Sequence, residues 1–102
     1  MRMMMRVQIP VGRGNEAIKD GSLPRLMRET LDALKPEAAY FTTTEGQRTA
    51  LIVFDMKDVA MMPKLAEPFF MRLDARVDLA PVMDAQDLER GLQQVRELTR
   101  TV

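Results

Sequence analysis

The chain has 102 residues, with 15 basic and 15 acidic side chains, and neither cysteine nor histidine. That length suits a single domain spanning residues 1–102, and balanced charge with no long like-charged run gives no field to attract nucleic acid. Without thiolate or imidazole, disulfide scaffolds, Cys/His zinc sites and Ser-His-Asp triads are excluded, and proton transfer near neutral pH falls to a carboxylate, Lys or Tyr.

The first predicted element is a strand over Met3–Val11, where Met5, Val7, Ile9 and Val11 alternate with Met4, Arg6 and Gln8. Gly12-Arg13-Gly14-Asn15 then reads as a turn, because it lacks the spacing of a phosphate-binding loop. Asn15–Asp20 forms at most a short helical turn, cut off by Gly21 and Pro24. Leu23, Met27, Thr30, Leu31 and Leu34 recur at helical spacing, with Ser22 as N-cap and Lys35-Pro36 closing the helix.

Ala38–Thr44 is rich in β-branched and aromatic residues and reads as a strand. The short connection Glu45-Gly46-Gln47 joins it to Arg48–Met56 as a hairpin. A second long helix follows from about Asp58 to Arg72, striped by Val59, Met62, Leu65 and Phe69 and distorted by Pro63 and Pro68. Phe69 and Phe70 are adjacent and cannot share a face, so one of them looks towards a cavity or partner. Ala75–Met83 alternates as a last strand. A helix capped by Asp84 then carries Leu88, Leu92, Val95 and Leu98 on one stripe, with Asp87 favourable in its first turn.

The order βαββαβα predicts an α+β domain, ferredoxin-like, with a four-stranded antiparallel sheet, its first and third strands central and helices on one face. The other face has no evident cover unless the last helix or a second copy supplies it. Alternation assigns to it Met4, Arg6 and Gln8, then Tyr40 and Thr42, then Ala50, Ile52 and Phe54, then Arg76 and Asp78. The start of the chain lacks a continuous apolar leader, and Ala50–Phe54 is too short to span a bilayer, so the expected location is cytoplasmic with no membrane partner.

Lys35-Pro36-Glu37-Ala38-Ala39-Tyr40-Phe41 and Ala66-Glu67-Pro68-Phe69-Phe70, together with the element order, resemble small bacterial proteins of the dimeric α+β barrel superfamily. The resemblance implies a homodimer with sheets paired face to face. It also implies small molecules held between sheet and helices or inside the barrel.

The candidate binding residues are Arg6, Gln8, Tyr40, Arg76 and Asp78, all on the uncovered face. Two arginines could grip a carboxylate or enolate, with Tyr40 as hydrogen-bond or proton donor. The competing reading is an Arg6–Asp78 ion pair between neighbouring strands that fixes dimer register. No metal site and no organic cofactor are expected, and the ligand would be small, apolar or anionic. Two functions follow: a homodimeric ligand-binding or accessory protein, or a cofactor-free enzyme of the isomerase, monooxygenase-like or decarboxylase kind.

Overall fold

The computed structural model describes residues 1–101, in the order β1 (Arg2–Ile9), α1 (Val11–Lys19), α2 (Ser22–Leu34), β2 (Ala38–Thr44), β3 (Gln47–Asp55), α3 (Met61–Leu73), β4 (Arg76–Pro81) and α4 (Ala85–Thr101). The strands form one antiparallel sheet in the order β2-β3-β1-β4. β1 and β3 are therefore central, as the pattern predicted, and the α+β arrangement is consistent with a ferredoxin-like fold. The β2–β3 hairpin turns on Glu45 and Gly46, both at positive φ (54° and 74°), the conformation of a tight two-residue turn.

The core forms on one face of this sheet. Met3, Met5, Val7 and Ile9 point into it from β1, and the register sets Phe54, Ile52 and Ala50 beside the first three. Ala17, Leu26, Leu65, Phe69 and Leu73 close over them from α1, α2 and α3. Full burial of side chains such as Phe54 and Phe69 is worth about 1.5–3 kcal/mol each. Phe70 turns outward, 40 % exposed, into a groove between α3 and β4.

Three local expectations change. Gly12-Arg13-Gly14-Asn15 belongs to α1 rather than to a turn, because burial of Gly14 and Ala17 outweighs the weak helix propensity of two glycines. Ser22 is the first residue of α2 rather than its cap. Gly21, at φ 82°, occupies the cap position, and Asp20 Oδ1 accepts the Ser22 N–H at 2.8 Å. Finally, Ala50, Ile52 and Phe54 lie in the core, so β3 presents Thr49, Leu51 and Val53 to the uncovered face. Ala50–Phe54 is apolar on both sides, and the parity of such a strand is fixed only by its partners.

α4 does not cover the uncovered face either. Among the described residues no other element packs extensively along it, and Leu88, Leu92, Val95 and Leu98 are all about half exposed or more. The radius of gyration is 17.0 Å, where a compact chain of this length has about 13 Å, and the longest dimension is 60 Å. The start of α4 is tied down. Asp84 Oδ1 accepts the Asp87 N–H (2.8 Å) and Asp87 Oδ2 accepts the Asp84 N–H (3.1 Å), a reciprocal capping box. Arg2 bridges both carboxylates, at 3.4 and 3.3 Å, and also binds Glu37 at 2.6 Å. The hydrogen bond and charge of Glu37 together raise the Arg2 pKa. Among the described residues no helix is long and apolar enough to cross a membrane.

Candidate functional site

The uncovered face is ordered in rows across the four strands. Ala80, Met4, Val53 and Ala38 form an apolar row; Asp78, Arg6, Leu51 and Tyr40 form the next; Arg76, Gln8, Thr49 and Thr42 form a polar one. All five sequence-predicted site residues therefore share this face. Arg6 Nη2 donates to Thr44 Oγ1 at 3.0 Å, while Arg6 Nη1 stands 3.8 Å from Asp78 Oδ2. Gln8 Nε2 donates to the Thr44 carbonyl at 3.0 Å, and the Thr44 and Thr49 hydroxyls meet at 2.6 Å.

Gln8 is almost fully buried although no helix lies over it, and its Oε1 has no partner among the described residues. Tyr40, 67 % exposed, and Arg76 make no hydrogen bond or ion pair to the other three. The constellation is thus an Arg6–Gln8–Thr44–Thr49 network with Asp78 at its rim. It is self-satisfied apart from one acceptor, and it offers no aligned acid and base.

A different site lies on the helical side of the sheet. α1, α2 and the strands β1, β3 and β2 leave an open groove of about 500 Å³. Its walls are Ile9, Ile18, Leu23, Met27, Phe41 and Ala50, with Pro24 and two threonines at the margin and Arg48 as its one charged residue. The groove exists because β2 is an edge strand. Phe41 and Ile18 there have no further helix to pack against and stay about half exposed.

Arg48 enters β3 opposite Ile9 and Thr43, and the pleat sends its side chain to the helical face among core residues. Its guanidinium lies under α1. Nη2 donates to Asn15 Oδ1 at 2.9 Å, whereas Nη1 is buried with no partner among the described residues. Gly14 makes the room, since a Cβ there would come within 2.6 Å of Nη1. No carboxylate pairs with Arg48 among the described residues, and α1, with Pro10 at its N-cap position, has no side-chain cap. An uncompensated cation therefore sits in the wall of an apolar groove, the arrangement that receives an apolar body with one anionic end.

Sequence reasoning missed Arg48. Arg48 has the parity of Ala50, Ile52 and Phe54, so it becomes a charge on the packed face only once the pairing with β1 places those three in the core.

The other charged cluster is closed on itself. Asp55 accepts from Lys57 at 2.5 Å and from the N-terminal ammonium at 2.7 Å, and these bonds lower its carboxyl pKa to about 2. Asp87 is likewise lowered, first by the Asp84 backbone N–H and then by Arg90. Among the described residues no group of three or more His, Cys, Asp or Glu could hold a metal ion. Compared with family models, curated proteins and solved structures, the chain matches none.

Proposed function

We infer that the protein binds a small molecule with an apolar body and a single carboxylate in the groove between α1, α2 and the sheet. The observation that carries this reading is Arg48, a guanidinium without a carboxylate partner in the wall of an otherwise apolar groove. Arg48 is half-buried with its Nη1 out of contact with water, so such a cation gains from an anion that ligates it directly, and a charge-assisted hydrogen bond contributes about 1.5–3 kcal/mol. The groove supplies no thiol, imidazole, carboxylate or phenol, so its chemistry is that of binding rather than turnover. The finer likeness to the dimeric α+β barrel proteins belongs to this reading. It rests on element order and on a ligand space between sheet and helices.

The test is calorimetric titration with matched pairs of phenylalkanoic and alkanoic acids against their primary amides. The acid should bind saturably and at least about 10-fold more tightly than its amide. Arg48→Met should remove that preference without unfolding the protein. Equal affinities for acid and amide, or no saturable binding across the series, would refute it.

A further inference from the structure

The chain carries two apolar surfaces that fit each other and do not meet. One is the stripe Leu88, Leu92, Val95 and Leu98 on α4; the other is the uncovered face around Met4, Leu51 and Val53. We propose that they meet between two copies, with α4 of each protomer lying across the uncovered sheet of its partner.

Dimensions support the match. From Leu88 to Leu98 the stripe runs about 15 Å along the helix, and four strands at about 4.8 Å spacing place the outer strands about 14 Å apart. The connection favours exchange over folding back. Val82 N–H bonds to the Arg2 carbonyl at 3.1 Å, and Arg2 clamps Asp84 and Asp87, so α4 leaves the domain in a fixed direction.

Charge is compatible as well. Arg76 on the sheet and Glu89 beside the stripe have no ion pair among the described residues and can meet across the contact, while Arg96 on the same side of α4 keeps that surface of mixed sign. Gln8 and Thr49 in the middle of the polar row are already shielded from water, so closure removes little further hydration from those two.

The area reaches what a stable dimer needs. Half the surface of a helix about 25 Å long and 10 Å wide is about 400 Å², and the sheet contributes a similar amount. Twofold symmetry repeats the contact, giving roughly 1,600 Å² in total, the size of a standard specific interface.

The absence of cysteine makes the test clean, because every thiol is then an introduced one. Full-length Leu51→Cys and Leu92→Cys are mixed, equilibrated and treated with a short bismaleimide, and the linked residues are identified by mass spectrometry. Exchange predicts a 51–92 link between chains as the main product. Sedimentation should show a dimer that Leu92→Glu weakens by roughly 100-fold or more, since the loss occurs in both copies of the contact. Leu92 is exposed in the single chain, so this variant keeps its fold, which circular dichroism checks. Predominant 92–92 links would show helix pairing with helix, 51–51 links would show sheet pairing with sheet, and a monomer at all concentrations would show neither. Each of these would overturn the proposal.

Discussion

Gly14→Ala separates the role of Arg48 from the stability of the domain. Two effects oppose each other. Replacing a glycine inside α1 by alanine favours the helix by about 0.8–1 kcal/mol. The new Cβ would lie 2.6 Å from Arg48 Nη1 and 3.2 Å from Ile9 Cγ2. Nη1 is the end of a flexible side chain and has no hydrogen bond to lose, so the guanidinium can swing away. Ile9 need yield only a few tenths of an ångström, and the Nη2–Asn15 bond is the interaction at risk, worth about 0.5–1.5 kcal/mol.

The terms nearly cancel, and urea unfolding should place the variant within about 1 kcal/mol of the wild type. Displacing the guanidinium removes the anion's partner, so the acid-over-amide preference in the same titrations should fall by about 10-fold or more. A loss of stability above about 2 kcal/mol would mean that Arg48 is locked beneath α1 as a structural element. Unchanged acid affinity would mean that the guanidinium does not meet the ligand. Either result refutes the reasoning.

Arg6 and Asp78 face each other in register, but 3.8 Å apart and with Asp78 75 % exposed; a double-mutant cycle in dilute protein should give a coupling of about 0.5 kcal/mol or less. Asp55, held at about 2 by Lys57 and the N-terminal ammonium, has a folded pKa below its unfolded one. Its stabilisation is therefore complete above the ordinary carboxylate range and is lost as pH falls from about 4 towards 2, so Asp55→Asn should flatten urea midpoints in that window. Asp84→Ala removes the cap of α4 and should destabilise that helix by about 1 kcal/mol. Circular dichroism of dilute protein should show lost helicity while the urea midpoint of the sheet domain stays unchanged.

The strands and long helices were legible because their periodicities are clean. Met5, Val7 and Ile9 alternate without interruption, and Leu88, Leu92, Val95 and Leu98 keep one helical stripe. β3 was misread by one residue because Ala50–Phe54 is apolar on both faces; only pairing with Met3, Met5 and Val7 fixes which side is core. α1 was half read: Asn15–Asp20 gave a turn of helix, but Gly12 and Gly14 weaken the signal of the residues before it, and its stability comes from burial against the sheet. The five candidate residues were correctly grouped on one face, since strand parity suffices for that. The groove was not legible. It needs the packing of α1 and α2 beside an edge strand, and Arg48 becomes notable only once no carboxylate is found beside it.

The most direct test of the central claim is a carbon-13 methyl NMR titration of the intact protein with 4-phenylbutyrate. If the groove is the binding site, the methyls of Ile9, Ile18, Leu23, Met27 and Ala50 should shift saturably together, while those of Met4, Leu51 and Val53 on the opposite face stay still. In Arg48→Met the shifts should require far more ligand. Saturable shifts at Met4, Leu51 and Val53 with the groove methyls unmoved would contradict the account and place binding on the uncovered face instead.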